Sequence, residues 1–231
     1  MNLYQKKQIE VVNQIESSLK ERCLSFSTVS SVKDFENDPR TCLTSVHFLK
    51  PKLINQISRL LINPLKLISP NHYYYQRSSL HMTIKGIRVI NDPPHFNSED
   101  IKKARMIFQE TIPYCHQFKV FFYRLLLFPT NLSLIGTTEE ERDRIAIVLD
   151  KKLGQAGIPD DKKYLNSRFF FSNITLARFD SPISNSFRKK VKALSGNISK
   201  MFKPYTVDSV SLVSGNAVLK NRKIFGQWLL K

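Results

Sequence analysis

Glycine and cysteine are scarce in this chain of 231 residues, and each shortage argues against a class of protein. Only seven glycines are present and none forms a Gly-rich phosphate-binding loop, which disfavours kinases and P-loop nucleotide triphosphatases. The three cysteines, Cys23, Cys42 and Cys115, are an odd set without metal-type spacing. We therefore expect reduced thiols in a cytoplasmic protein, with no disulfide framework.

Long hydrophobic runs and a secretion signal are also missing. No apolar run reaches about 18 residues, and Met1–Lys7 does not lead into an apolar segment with a small-residue cleavage site. We therefore expect neither a membrane-spanning segment nor secretion. No group of His, Cys, Asp and Glu has metal-ligand spacing, and nothing supports an NAD or flavin site. We expect the protein to use no metal and no cofactor.

Acidic residues are outnumbered, because 36 Lys and Arg face 19 Asp and Glu, which gives a net charge of +17. Such a charge attracts polyanions such as RNA, nucleotides or an anionic membrane surface. The basic residues occur in short groups such as Arg188-Lys189-Lys190, so the charge is spread over the fold and favours a basic cleft over a basic tail. We expect RNA or a nucleotide as the partner, the alternative being a basic surface that serves solubility alone.

The hydrophobic content of 42% is sufficient for one sizeable core or for two small, closely packed lobes. From Leu3 to Arg22, apolar residues recur at three- and four-residue steps and predict an amphipathic helix. The stretch from Ser25 to Arg40 is rich in serine and acidic residues and predicts a connector. Residues 1–40 are therefore interpreted as an extension, and residues 41–231 as the main domain.

Strand and helix patterns alternate through the main domain. Strands are predicted at Cys42–Leu49, Leu80–Val89, Phe118–Phe128, Leu132–Gly136, Phe169–Phe179, Tyr205–Ser214 and Lys223–Leu230. Helices are predicted at Lys52–Leu61, from an N-cap at Ser98 to Pro113, from a capping box of Thr137 or Thr138 with Glu140 or Glu141 to Gly154, and at Asn185–Leu194. A loop is predicted from Pro64 to Ser79.

Two predicted strands carry the same pattern of polar, apolar, hydroxyl and apolar residues, at His81-Met82-Thr83-Ile84 and Asn173-Ile174-Thr175-Leu176. The repeat predicts an internal duplication that brings both triplets to one cleft. Because strand side chains alternate, His81, Thr83 and Lys85 are expected on one face, and Asn173, Thr175 and Ala177 on another. The same alternation places Arg178 on the face opposite Thr175, where we expect a structural ion pair.

With these two motifs, the segment from Thr41 to Lys231 resembles the 2H phosphoesterase superfamily, which includes RNA 2′,3′-cyclic phosphodiesterases and 2′-5′ RNA ligases. His81-Met82-Thr83 matches the first His-x-Thr/Ser motif, and Asn173-Ile174-Thr175-Leu176-Ala177-Arg178 matches the second except for its first residue. Phe128-Pro129, the segment around Gly157 and the closing pair of strands also match. The resemblance implies a bilobal, duplicated α+β fold in which two mainly antiparallel sheets flank a central cleft, with helices outside.

The resemblance also implies roles for the four motif residues. His81 is the remaining acid or base, and Thr83 and Thr175 bind the phosphate oxygens. Asn173 stands where the superfamily has its second histidine, and an amide has no useful pKa. Three explanations stay open: a branch that works with one histidine or with a proton donor from elsewhere, a pseudoenzyme that binds RNA or nucleotides, and an introduced substitution.

Further candidates lie around the motifs. Tyr75 and Arg77 belong to an aromatic and cationic loop typical of single-stranded nucleic-acid binding. Lys85 can lend positive charge to a phosphate, and Phe128 can form a wall of the cleft. Candidates for the missing second histidine are His72, which we prefer, and then His47, His95 and His116. Packing or surface roles are commoner for such residues.

The sequence thus predicts a metal-independent phosphodiesterase that acts on a 2′,3′-cyclic phosphate or a 2′-5′ phosphodiester bond of RNA or a nucleotide. The alternatives are a catalytically degenerate RNA- or nucleotide-binding module and a basic interaction protein with a vestigial cleft. We expect a cytoplasmic monomer that has no obligate protein partner and does not bind a membrane.

Overall fold

A computed structural model describes residues 1–21, 26 and 28–231. Three features of the sequence interpretation lie outside the described residues: Cys23, the predicted helix end at Arg22 and the predicted start of the connector at Ser25.

Strands and helices alternate along most of the described chain. The strands are β1 Thr41–Phe48, β2 Tyr73–Tyr74, β3 His81–Asn91, β4 Phe118–Leu127, β5 Asn131–Thr138, β6 Ser172–Arg178, β7 Tyr205–Val207, β8 Ser209–Gly215 and β9 Arg222–Leu229. The helices are α1 Leu3–Lys20, α2 Pro51–Ile57, α3 Asn63–Lys66, α4 Ser98–Gln109, α5 Glu141–Gln155, α6 Asn185–Ser195 and α7 Ile198–Met201. A π-helical turn, Ser58–Ile62, joins α2 to α3, and 3-10 turns lie at Arg77–Ser79 and Ile112–Tyr114.

The strands form two antiparallel sheets. The first sheet has the order β3-β1-β8-β9, and the second has the order β2-β6-β5-β4-β7. Each sheet therefore contains one of the two motif strands, β3 in the first and β6 in the second. These two strands contact each other where the sheets meet. The predicted bilobal α+β fold with two antiparallel sheets is confirmed.

The core is a continuous apolar cluster that receives side chains from both sheets and from the helices packed on them. Its largest fully buried side chains include Phe108 of α4, Phe118 of β4 and Phe187 of α6. Burying an aromatic side chain of this size contributes about 1.5–3 kcal/mol. Helices α4 and α5 pack together, and α5 contacts β3, so the first motif strand has a rigid support.

Helix α1 covers part of the second sheet. It begins at a capping box formed by Asn2 and Gln5, and its buried face includes Val12 and Ile15. This face packs on Leu126 of β4 and Ile135 of β5 in a separate apolar cluster. The predicted amphipathic helix is therefore present, and its apolar stripe is used for packing.

Several predicted boundaries are wrong in detail. The side chain of Asn97, not Ser98, caps α4. No side chain caps α5, which has Glu140 at its N-cap position, two residues beyond Thr138. The hydroxyl of Thr138 accepts a hydrogen bond from Gln8 of α1. The helix predicted to end at Leu61 continues through the π-helical turn into α3, so part of the predicted loop from Pro64 is helical.

The predicted strand from Tyr205 to Ser214 is two strands in two sheets. Its first part is β7, which pairs with β4 in the second sheet, and its second part is β8, which lies in the first sheet. Asp208 separates the two strands, and its carboxylate forms a 2.5 Å salt bridge with Lys50. A single run of β-forming residues thus crosses from one lobe to the other.

Candidate active site

A cavity of about 510 Å³ lies between the two sheets. Its lining includes His81 and Thr83 from β3 and Asn173 and Thr175 from β6. All four residues are partly exposed, whereas Met82 and other intervening residues are buried in the core. A cavity of this size is typical of small-molecule sites. The two repeated triplets therefore share one cavity, as their alternation predicts.

Each motif strand is interrupted by a register shift directly after its threonine. On β3, Thr83 pairs with Val46 and Lys85 pairs with the adjacent Ser45, so one extra residue, Ile84, is inserted. On β6, Thr175 and Ala177 pair with the adjacent residues Ser133 and Leu132 in the same way. An extra residue of this kind reverses the alternation of the side chains that follow it. On both strands, the side chains that follow the threonine therefore change faces at equivalent positions.

The imidazole of His81 is held in one tautomer. Its Nδ1 lies 2.7 Å from the backbone carbonyl of Ser79, and because a carbonyl only accepts hydrogen bonds, Nδ1 carries the proton. The lone pair is therefore on Nε2. Burial lowers the pKa of His81 to about 4, and nearby Arg178 and Arg222 act in the same direction while the Ser79 carbonyl opposes them. At neutral pH His81 is an uncharged proton acceptor.

Arg178 lines the cavity, contrary to the prediction from simple alternation. The register shift at Leu176 turns it to the cavity side of β6, and no structural ion pair of Arg178 is found among the described residues. Its Nε donates to the hydroxyl of Tyr75 at 3.0 Å, and one terminal nitrogen donates to the carbonyl of Ala217 at 3.1 Å. The other terminal nitrogen is buried and has no hydrogen-bond partner among the described residues. The guanidinium therefore has an unused donor, as an anion site requires.

Tyr75 lines the cavity, and Arg77 does not belong to its described lining. The Tyr75 hydroxyl donates to the carbonyl of Ala217 at 2.8 Å and accepts from Arg178. The residue is only 4% exposed, so its ring is not free to stack on a base. Through its hydroxyl it is placed to position Arg178. Arg77 is exposed and donates to the side chain of Asn55 on α2, outside the described lining, so its role in binding a ligand stays a prediction.

Lys85 is buried away from the cavity lining. The register shift at Ile84 directs it toward Asp150 of α5, with which it forms a 2.8 Å salt bridge, and toward Asp160, with which it forms a second. It is 5% exposed. The expectation that Lys85 shares the face of His81 is therefore wrong, because one inserted residue reverses the alternation.

The outer wall of the cavity is aromatic. Phe128 lines it together with Phe169, Phe170 and Phe171 from the segment 161–171. Helix α1 contributes Val11 and Ile15 to the same wall. None of the three phenylalanines of the segment 161–171 was predicted from the sequence as a cavity residue. The run of three phenylalanines just before the second motif is the sequence feature that could have identified them.

The other histidines serve structural contacts. The His72 ring is buried against Phe179 at 4.9 Å and Phe187 at 5.8 Å. His47 contacts the carbonyl of Ser209 at 2.9 Å and the hydroxyl of Tyr205 at 2.8 Å. The exposed His95 lies 3.0 Å from Asp161 and His116 is also exposed, so none of the four belongs to the described lining.

Comparison with solved structures identifies the class of fold. Escherichia coli LigT in its apo form matches with a TM-score of 0.56 at 14% identity, covering 84% of this chain and 99% of that one. TT0787 of Thermus thermophilus matches with a TM-score of 0.57 at 15% identity, covering 83% and 97%, and a crystal structure described as a phosphoesterase matches with 0.54 at 13% identity, covering 83% and 99%. No protein-family model and no curated protein matches this sequence. The chain has the 2H phosphoesterase fold.

Neither a metal centre nor a membrane span is found in the described part of the chain. Across residues 1–21, 26 and 28–231, no group of three or more His, Cys, Asp and Glu side chains is arranged to hold a metal ion. None of the helices in these ranges combines the length and apolarity of a membrane-spanning segment.

Proposed function

We propose that this protein is a metal-independent phosphodiesterase that hydrolyses a 2′,3′-cyclic phosphate or a 2′-5′ phosphodiester bond of RNA or a nucleotide. The observation that carries the proposal is the uncharged His81, with its lone pair on Nε2, in the same cavity as a buried and unused Arg178 nitrogen. A base and an anion-binding donor are the two elements that attack on a phosphodiester requires. We also propose that the protein acts as a cytoplasmic monomer.

In the proposed reaction, Nε2 of His81 takes a proton from water as the water oxygen attacks phosphorus. Negative charge grows on the nonbridging oxygens, and the hydroxyls of Thr83 and Thr175 and the guanidinium of Arg178 stabilise it. The bond from phosphorus to a ribose oxygen then breaks, and that oxygen takes a proton. Preorganised donors in a cavity of this kind often supply the largest part of the catalysis.

Asn173 sets the expected rate. Its amide can donate a hydrogen bond to the leaving oxygen but cannot transfer a proton to it, so the proton must come from solvent. A positioned general acid contributes about 10² to 10⁴ in rate. We therefore propose a slow enzyme whose turnover is limited by protonation of the leaving group.

Solved structures with the same fold support a phosphorylated ligand. Structures of Escherichia coli LigT with phosphate and with 3′-AMP match this chain with a TM-score of 0.54 each. Asn173 favours a second candidate, a nucleotide-binding module without turnover, because it removes one of the two proton-transfer groups of the superfamily.

The test is hydrolysis of nucleoside 2′,3′-cyclic phosphates and of short 2′-5′ linked oligonucleotides without added metal. We compare the protein with Asn173→His and with His81→Ala. Turnover that His81→Ala abolishes, and that Asn173→His raises by about 10² or more, supports the proposal. Turnover by Asn173→His alone identifies a nucleotide-binding module on an enzyme scaffold. If neither the protein nor Asn173→His shows turnover, phosphodiesterase chemistry at this site is contradicted.

A further inference from the structure

The two register shifts place different residues at equivalent positions of the duplicated strands. Arg178 is the third residue after Thr175, and Gly86 is the third residue after Thr83. Gly86 packs against another part of the chain, because a Cβ built on it would lie 3.4 Å from the hydroxyl oxygen of Tyr164 and 3.5 Å from Cδ of Lys162. Lys162 comes from the segment before the second motif and lines the cavity. The first lobe thus receives its cation from a different part of the chain.

The ammonium of Lys162 lies near aromatic rings. Its Nζ is 5.3 Å from the centre of the Tyr164 ring, and among the described residues it forms no salt bridge. The nearby Asp160 carboxylate already binds Lys85 and accepts from the Tyr164 hydroxyl at 2.8 Å. Burial lowers the pKa of Lys162, Asp160 opposes this effect, and the charges of Arg142 and Lys85 add to it. Among the described residues this cation therefore has no carboxylate of its own, in a partly desolvated position.

Arg142 of α5 provides a second cation on the same wall. It lines the cavity, and its guanidinium carbon lies 5.0 Å from the centre of the Phe170 ring. Its carboxylate partner, Asp143, is 3.3 Å away and also accepts from the hydroxyl of Tyr4 and the backbone of Phe170. The Phe170 and Tyr164 rings meet edge to face at 5.5 Å. Arg142, Lys162, Tyr164 and Phe170 together form what we call the cationic wall.

The charge balance of the cavity favours an anion at this wall. The described lining contains one carboxylate, Asp161, against six basic side chains: Arg40, Arg88, Arg142, Lys162, Lys163 and Arg178. Arg40 and Arg142 also pair with Asp38 and Asp143 outside the lining, so the described basic side chains still exceed the carboxylates around them. Asp161 is also engaged, since it accepts from the backbone of Val89 at 2.6 Å and contacts His95 at 3.0 Å. An unbalanced positive field in a concave site raises the local concentration of anions.

We propose that the cationic wall is a second phosphate subsite, which binds a phosphate other than the one at His81 and Asn173. The charges that act on His81 are those of Arg178 and Arg222, and that of Lys162 is not among them. Lys162 therefore belongs to a different part of the cavity, beside Gly86 on β3. The inference rests on the proposed function in that the ligand is a nucleotide. It defines the ligand class as nucleotides with two phosphates, of which the second is either terminal or internal to an oligonucleotide.

The test compares the binding of matched ligands by calorimetry, without turnover. Adenosine 3′-monophosphate has one phosphate, adenosine 3′,5′-bisphosphate adds a terminal phosphate, and the dinucleotide ApAp adds an internal one. We expect at least one of the latter two to bind about tenfold or more tightly than the monophosphate, since a charge-assisted contact has this size. Lys162→Met keeps the stem against Gly86 and removes the charge, and we expect it to abolish that preference. Lys103→Met, on the exposed surface of α4, is the charge-matched control and should retain it.

The outcomes separate this inference from the proposed function. If the protein hydrolyses cyclic phosphates but shows no preference for a second phosphate, or keeps the preference in Lys162→Met, the subsite is wrong and the proposed function stands. If the preference depends on Lys162 while hydrolysis is absent, the subsite stands and the enzyme proposal fails. Failure of all three ligands to bind overturns the subsite, and the hydrolysis assay then decides the proposed function by itself. The dinucleotide and the bisphosphate show which source of the second phosphate is preferred, and thermal unfolding of Lys162→Met checks that the variant is folded.

Discussion

At the scale of single residues, the candidate chemistry depends on the charge state of one imidazole. His81 donates through Nδ1 to the Ser79 carbonyl, and burial holds its pKa near 4, so the base form prevails at every pH from weakly acidic to alkaline. An enzyme with a histidine base of ordinary pKa would instead lose activity as the pH falls through about 6.5.

The pH dependence of kcat/KM is therefore expected to be unusual. We predict that kcat/KM does not fall between neutrality and about pH 5 and falls through about pH 4, because the base is active only when unprotonated and a leaving group protonated from solvent is not slowed by acid. The measurement is initial rates of cyclic-phosphate hydrolysis across this range, with activity after return to neutral pH as the control for unfolding. An acidic limb near pH 6.5 would show that His81 is not desolvated as the structure indicates.

Tyr75 is expected to matter through Arg178 and not through stacking. Tyr75→Phe removes the hydroxyl that Arg178 Nε binds, which leaves a charged donor with one partner fewer and should cost about 1.5–3 kcal/mol of unfolding free energy. It should also raise KM more than it lowers kcat. Tyr73→Phe is the matched control, because the Tyr73 hydroxyl is buried without a partner among the described residues. Equal effects of the two variants in denaturant unfolding would contradict this role.

At the scale of elements, the sequence predicted most strands and helices and the meeting of the two triplets, because alternation holds from His81 to Thr83 and from Asn173 to Thr175. The prediction of which face each side chain occupies failed directly beyond Thr83 and Thr175. One inserted residue on each strand turns Lys85 away from the cavity and Arg178 toward it. Such insertions depend on how neighbouring strands pair, and the local pattern of a single strand does not encode that.

Lys162 illustrates a second limit. It reaches the cavity only because the segment 161–171 folds over Gly86, a tertiary contact between residues far apart in the chain. No periodicity connects these two positions. The outer wall, which combines α1 with that segment, was missed for the same reason.

Helix α1 is tied to the second sheet by one buried side chain. Gln8 is fully buried, donates to the Thr138 hydroxyl at 2.8 Å and accepts from the Thr138 backbone at 2.8 Å. We predict that Gln8→Ala costs about 1–3 kcal/mol, since it leaves a buried N–H unpaired. The exposed Gln14→Ala on the same helix is the control. A similar free energy of unfolding for both variants would mean that α1 contributes little to folding. That result would agree with the interpretation of residues 1–40 as an extension.

At the scale of the whole molecule, the desolvated imidazoles of His47 and His81 make stability depend on pH. Burial lowers the pKa of both His47 and His81 in the folded protein, whereas both titrate near 6.5 when unfolded. The unfolded chain therefore binds more protons in acid, and stability is fully present above about pH 6.5 and declines as the pH falls toward about 4.

We predict that the Tm falls as the pH is lowered from 7 to 5, before most carboxylates titrate. His47→Gln should flatten this slope, because it removes one of the two groups that take up protons on unfolding. Thermal unfolding followed by circular dichroism at several pH values measures both curves. A Tm that rises over this interval would contradict the burial of these imidazoles.

The carbonyl of Ala217 accepts hydrogen bonds from Tyr75 and Arg178. Ala217 belongs to the connection between β8 and β9 in the first sheet, whereas Arg178 lies on β6 in the second, so these bonds tie the two lobes at the floor of the cavity. While both bonds are made, the two lobes do not separate at this point. Discrimination among ligands then depends on a shape that exists before binding, and the entropy lost on binding belongs mostly to the ligand.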